Sequence, residues 1–384
     1  MEAATQTNRS TPSARTSRYV FELATRADDG ALRGLLRGTY MNGPLRLSFQ
    51  REPSFFLGAD LGNLTTEIIV GRETSTGALV CTGVRAVRRA FIEGVESPLG
   101  YLSGLRLREE VQKSGLLARG YRYLKQLHDA GSTPCYITTI LDGNEEARRI
   151  LTSGRAGLPA YVSYGRLRTY MLPLYGFRKR IRSAAVTRGA TKETLPAAVA
   201  CLNRFNADLQ FAPAYRVEDF DANSGRLRGL SAEDLYLRLQ GPEVVGTLAV
   251  WNQNGFKQSV VVGYSRGLAL ARPALTFAAK FGLAPRLPRA GRSLPCLYAG
   301  LIGCRGSDAA VFQELVDTVL ADWTNTGYAY LLLGLCDRHP FSPIVERRSV
   351  MAIDSGIYLV CWPDSKPDPL PSTSRVPHLE VATL

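Results

Sequence analysis

The sequence predicts an α/β chain of the α+β type, in which two successive halves each form a mixed, mostly antiparallel sheet flanked by helices. Three observations predict it. Apolar runs joined by short turns fill residues 65–107, as in an antiparallel meander. The stretch from Pro98 to Gly154 reads strand, loop, helix, strand, helix. Beyond about residue 175 the same order of elements returns with little residue identity, so the repeat is architectural.

Taken in order, residues 1–16 have no apolar core and read as a disordered tail. RYVFELAT (Arg18–Thr25) alternates as a strand, and DDGALRGLLRGT follows as a short helix capped by Asp28 or Asp29. Arg51–Gly62 reads as irregular, with Phe55 and Phe56 packed on something apolar. Thr65–Glu73 and Gly77–Gly94 are adjacent strands joined by the turn STG, and Pro98–Leu107 continues the sheet. A helix from Gly115, a strand over Pro134–Leu141 and a helix opening at DGNEEARRI come next. Ala160–Leu172 predicts two strands turning around Gly165.

The second half begins after the basic cluster GFRKRIR (Gly176–Arg182). Ile181–Gly189 reads as a strand, and Thr194–Leu209 as a helix with Pro196 in its first turn. AEDLYLRLQ and GTLAVWNQNGFKQSVVVGYS supply strands up to Ser265, and Leu270–Ser293 is an inserted helix and loop. Leu294–Cys304 and Tyr328–Cys336 are buried strands around an amphipathic helix over Ser307–Gly327. Ser349–Trp362 predicts a hairpin turning at Asp354–Gly356. The proline-rich remainder reads as flexible. The expected division is therefore a tail at 1–16, domains at 17–175 and 176–363, and a flexible tail at 364–384.

Composition narrows the function. Of 384 residues 45% are hydrophobic and 21% charged, which fits a globular chain with a large core. No apolar run approaches a membrane span, and the N-terminus lacks a secretory h-region. Seven cysteines without a CxxC pair point to reduced thiols and a cytoplasmic setting. Three histidines without ligand spacing point to no metal site. The net charge of +13 favours anionic ligands. It is the one feature favouring nucleic acid, since no helix-turn-helix or aromatic RNA-binding pattern accompanies it.

A glycine loop leading from a strand into a helix is a place to hold phosphate, because the first-turn N–H groups and the helix dipole both favour negative charge. VQKSGLLA (Val111–Ala118) resembles motif A of the GNAT superfamily of acyl-CoA-dependent N-acyltransferases, a Gln or Arg, two residues, Gly, one residue, then Gly or Ala. Gln112 and Gly115 match, while Leu117 stands where the small residue belongs. TTILDGNEEARRILTSG resembles motif B through Asn144, Ala147 and Gly154. The resemblance covers about Ser17 to Leu174. With the repeated element order it implies two tandem GNAT-like domains, the second degenerate.

The resemblance implies that acetyl-CoA, or another acyl-CoA, is the cofactor. Its pantetheine arm would enter between Pro98–Leu107 and Pro134–Leu141, strands that splay apart in this family. The implied cofactor contacts are Leu105, Leu107, Gln112, Lys113, Ser114, Gly115, Leu116, Leu117, Ala118 and Asn144. Asn144 is equally explained as a helix cap. Acyl transfer to an amine needs a polarised carbonyl, a base for the amine and an acid for the departing thiolate. Backbone N–H groups near Leu105–Leu107 are the implied polarising donors. Tyr101, Glu93 and Glu96 are the catalytic candidates, with Glu67 a further candidate base. Where the family often places a tyrosine acid, this chain has Leu151. Tyr101, Tyr161 or Tyr164 substitutes, or the thiolate leaves unaided.

The leading reading is an N-acyltransferase acting on an unidentified amine by direct attack. The runner-up is a module that keeps the fold and binds acyl-CoA without chemistry. In the second half Asp308 stands where the pyrophosphate would lie, so that half is expected to build a substrate wall or a homodimer contact.

Overall fold

The computed structural model describes residues 17–384, apart from 42, 44, 113–114, 132, 156, 177–180, 222–224, 363 and 365–369. One sheet of twelve strands runs through the whole molecule. Its first-half strands are β1 (Tyr19–Leu23), β3 (Thr65–Glu73), β4 (Leu79–Ile92), β5 (Val95–Leu107), β6 (Tyr136–Leu141) and β7 (Ala160–Pro173). Its second-half strands are β8 (Val186–Arg188), β9 (Leu235–Gln240), β10 (Glu243–Trp251), β12 (Cys296–Cys304), β13 (Tyr330–Cys336) and β14 (Met351–Cys361). Across the sheet the order is β1-β3-β4-β5-β6-β14-β7-β13-β12-β10-β9-β8. The halves therefore interchange their last strands. β14 lies between β6 and β7, and β7 lies between β13 and β14. A separate ribbon joins β2 (Leu45–Gln50) of the first half to β11 (Gln258–Tyr264) of the second.

Strand alternation settles which helix covers which face. Ile68 and Val70 pack under α1 (Asp29–Arg37) and α2 (Phe55–Ala59), whereas Ile69 faces α3 (Leu116–Asp129) and α4 (Glu145–Leu151). In the second half Ala249 and Trp251 meet α5 (Thr194–Ala207), while Leu248 and Val250 meet α7 (Ala309–Trp323). α6 (Arg266–Lys280) and α8 (Ser342–Glu346) complete the set among the described residues.

Three expectations need correction. Residues 160–172 and 349–362 are not hairpins; each is one long strand, β7 and β14, and the two pair antiparallel from Met351↔Met171 to Cys361↔Ala160. Gly165 marks a one-residue register slip, with Ile357 opposite Gly165 and Tyr358 opposite Ser163, so this glycine sits at a bulge and not a turn. The C-terminal segment is not a flexible tail throughout. From Leu370 it returns over the sheet and ends in a 3-10 turn, Val381–Thr383, with His378, Leu379, Glu380, Val381, Ala382 and Thr383 buried.

Candidate active site

β5 and β6 run parallel and pair at only two positions, Gly100↔Tyr136 and Tyr101↔Ile137. Beyond them the strands part, as the resemblance implied. On its other side β5 carries a bulge at the same level: Val84 faces Ser103 and Thr82 faces Arg106, leaving one extra residue on β5. Gly104 adopts φ 65° there, a conformation that favours glycine. A bulge re-aims backbone N–H groups out of the ladder, which is what a polarising donor requires.

At the far end of β5 the chain reaches α3. Gly115, the N-cap, has φ 71° and ψ 7° and, as a glycine, offers no side chain of its own to cap the helix. Among the described residues, a Cβ built on Gly115 meets nothing within 4 Å. Leu116 is buried, and Leu117 packs against the cluster of Leu102, Tyr121 and Tyr136. The Leu117 side chain thus turns into the core. Arg119, in the first turn of α3, donates to Ser17 Oγ and to the Tyr19 carbonyl, each at 2.5 Å. Asn144 caps α4, its Oδ1 accepting from the Ala147 N–H at 3.2 Å. Lys113 and Ser114 lie outside the described residues.

The second half repeats this geometry and then closes it. β12 and β13 pair from Cys296↔Tyr330 to Ala299↔Leu333 and then part. β12 has its own bulge, between Ala249↔Gly300 and Thr247↔Gly303, with Leu301 at φ 51°. Here the opening is filled by the C-terminal segment. The Leu301 N–H leaves the ladder and donates to Glu380 Oε2 at 2.8 Å. The helix N-terminus is filled as well: Asp308 accepts from the N–H groups of Ala310 (2.8 Å) and Val311 (3.3 Å). Bulge for bulge, Leu301 corresponds to Gly104. This correspondence singles out the Gly104 N–H beside those of Leu105 and Leu107, and the sequence reading missed it. A glycine in a strand that otherwise reads as regular was the available signal.

Of the three catalytic candidates, the structure brings Tyr101 to the splay. It is the last β5 residue paired with β6 and is 4% exposed. Burial raises its phenol above the ordinary value, against the pull of Arg88, a Thr139 hydrogen bond and Arg51. The Arg88 guanidinium stands 4.2 Å from the ring centroid. Glu93 and Glu96 lie at the opposite end of the β4–β5 hairpin. Glu93 accepts from Gln210 and from the Ser372 N–H, both at 2.7 Å. Glu96 accepts from Arg216 at 2.6 Å. The Tyr161 hydroxyl is bonded to that of Tyr121, and Tyr164 donates to the Pro371 carbonyl at 2.7 Å. Glu67 is paired with Arg85. The fixed partners of these side chains follow from tertiary contacts that no local motif records.

Around the end of the C-terminal segment, both halves contribute ionisable groups. Arg88 donates to Thr383 Oγ1 and to the Thr383 carbonyl, both at 3.3 Å, and to Asn63 at 3.2 Å. Lys257 donates to the Leu384 oxygen at 2.7 Å and to the Ala382 carbonyl at 3.3 Å. Burial and the neighbouring Arg51 and Arg88 guanidinium groups push the Lys257 ammonium down to about 7. Burial pushes the Glu380 carboxyl up to about 7, against its backbone hydrogen bonds and nearby cations.

The fold is similar to those of solved N-myristoyltransferase and N-acetyltransferase structures. Saccharomyces cerevisiae N-myristoyltransferase with bound myristoyl-CoA aligns at TM-score 0.58 and 12% identity, over 91% of this chain and 84% of its own. The same yeast enzyme with myristoyl-CoA and inhibitors aligns at 0.58 and 11% identity, over 96% and 88%. A GCN5-related N-acetyltransferase from Sphaerobacter thermophilus aligns at 0.55 and 12% identity, over 92% and 97%. Identity at this level carries the fold alone. No family model matches the chain, and no curated protein matches its sequence.

Proposed function

We propose that the chain is an acyl-CoA-dependent N-acyltransferase, transferring most simply an acetyl group to an amine by direct attack. The observation that carries this reading is the first-half opening itself: a splayed and bulged strand pair that leads to a helix N-terminus opened by a glycine. Its second-half twin is filled by the chain's own residues. The family's solved members named above were crystallised with an acyl-CoA or are called N-acetyltransferases, which supports the same reading.

In this reading the first-turn N–H groups of α3, around Gly115–Ala118, hold the pyrophosphate. The pantetheine amides pair with the parted edges of β5 and β6. The Gly104 N–H, with Leu105, polarises the thioester carbonyl. The amine attacks that carbon, and Lys257, which burial and the neighbouring guanidinium groups bring to a neutral-range pKa of about 7, accepts the amine proton. Tyr101, kept protonated by burial, donates to the leaving thiolate. The strands close at Tyr101↔Ile137, with the buried Tyr101 ring on one face of the sheet and the buried Tyr136 ring on the other, which favours a short acyl group.

Titration calorimetry of the full chain with coenzyme A should give a stoichiometry near one. Two equivalent sites, or none, would remove the reading. Comparing acetyl-CoA with myristoyl-CoA as donors to a panel of amines reads out the acyl length, and absence of turnover with retained binding would favour the non-catalytic module.

Direct attack also makes a second prediction. All seven cysteines are buried and free. Burial pushes the Cys81 and Cys336 thiols up to about 11 and that of Cys296 up to about 12, so thiolate nucleophiles are scarce at neutral pH. Intact-mass spectrometry after mixing with acetyl-CoA alone should show no acyl adduct. A stoichiometric adduct on any cysteine would overturn the direct route.

A further inference from the structure

α6 shows solvent its apolar side. At 100° per residue Leu270, Ala274, Phe277 and Phe281 share one ridge. Leu270 is 83% exposed, Phe277 62% and Phe281 53%. The two phenylalanine rings meet edge-on with centroids 5.2 Å apart, and the exposed Leu283 extends the patch. The inward side carries instead the buried Ala279 and Arg272, whose guanidinium lies over the Tyr264 ring. Amphipathicity is thus reversed relative to a helix that covers a core.

The charge around this ridge has one sign. Arg266, Lys280, Arg286, Arg289 and Arg292 are all exposed. Between Glu243 and Asp308 the sequence contains no aspartate or glutamate. Among the described residues none of the five cations forms an ion pair. α6 follows the two-stranded ribbon β2–β11 and lies outside the twelve-stranded sheet, so it adds nothing to the opening described above.

We propose that α6 and the basic loop after it dock the protein on the anionic surface of a membrane. Leu270, Phe277 and Phe281 enter the boundary between headgroups and acyl chains, and the five cations meet the lipid phosphates and carboxylates. Contiguous large apolar side chains within an acid-free cationic rim match that surface on both counts. A second copy of this chain matches on one only, because a two-fold contact would set the same cations against each other. Nucleic acid would use the cations and leave the ridge in water.

Vesicle flotation with the full chain tests this. The protein should float with vesicles of phosphatidylcholine containing about 30% phosphatidylserine, should not float with phosphatidylcholine alone, and should be released as salt is raised. The double substitution Phe277→Glu and Phe281→Glu should lower partitioning at least tenfold with an unchanged unfolding midpoint, since both rings are exposed. Replacing Arg286, Arg289 and Arg292 together by alanine should lower it by removing the charge and leaving the ridge. The proposal fails if the unsubstituted protein floats with neither vesicle, or if both variants float as well as it does. It fails too if sedimentation shows a dimer that the phenylalanine substitutions abolish.

Discussion

Replacing Gly115 by aspartate should weaken coenzyme A binding by about 2–4 kcal/mol, roughly 30- to 1000-fold. The effect has two parts. Gly115 holds φ 71°, which an L side chain adopts at a cost. The new carboxylate would also sit at the N-terminus of α3, where it could cap the first-turn N–H groups and repel a pyrophosphate. The second half has already made this replacement: Asp308 occupies the N-cap of α7 and takes two of its N–H groups. Gly115→Ala separates the parts, since it brings the strain without the charge and should lose less affinity. Calorimetry with coenzyme A reads both variants. An affinity unchanged in Gly115→Asp would show that the pyrophosphate does not bind there.

Acid should destabilise the fold well above the range in which ordinary carboxylates titrate. His339 and His378 are 2% and 3% exposed, with ring centroids 6.0 Å apart. His339 Nδ1 accepts from the Phe341 N–H at 3.2 Å, while His339 Nε2 and His378 Nδ1 meet no hydrogen-bond partner among the described residues. Burial lowers His339 to about 3, the neighbouring His378 adding to the effect, and lowers His378 to about 4. Both folded values lie below the ordinary 6.5, so the unfolded chain binds more protons between them. The stability they contribute is complete above pH 6.5 and is lost as the pH falls toward 4. Glu380 acts in the opposite sense: its folded value is raised to about 7, so its contribution is complete near pH 4.5 and lost as the pH rises through 7. Two histidines against one glutamate leave a net loss of about 2 kcal/mol between pH 6.5 and 4.5. Urea midpoints across that range should fall accordingly, more steeply in Glu380→Gln. A flat midpoint would mean that neither histidine is held neutral by the fold.

The sequence made much of this molecule legible where the signal is local. Thr65–Glu73 is a strand with the bounds its alternation implied, and the passage from β5 through α4 matches its glycine and cap chemistry. The misreadings share a cause. Gly165 and the Asp354–Gly356 stretch looked like turns because a glycine in a strand is ambiguous within its own neighbourhood. Only the pairing of β7 with β14, nearly the whole second half apart, decides the matter. The ribbon strand β2 was missed because its partner, β11, lies some two hundred residues on. The site divides the same way. Gly115 and Asp308 announce themselves as glycine-opened and capped helix starts. That Tyr101 reaches the splay while Glu93 and Glu96 remain at the hairpin end depends on strand length. Eleven residues from Glu96 to Leu107 span about 35 Å. That Glu380 fills the second opening is a contact with Leu301 that no local pattern encodes.

The interchange of β7 and β14 bears on how the chain is made. When β6 and β7 have left the ribosome, the strand that belongs between them has not been synthesised. Synthesis must pass from Pro173 to Met351 before it appears. At 5–20 residues per second that interval is on the order of ten seconds or more. Through it, the nascent first half presents the buried-to-be face of Tyr136, Ile137 and Leu167 beside two open strand edges. Such edges recruit other strands. The finished sheet has no seam between its halves, and its cost falls during translation, as a long wait for chaperone cover.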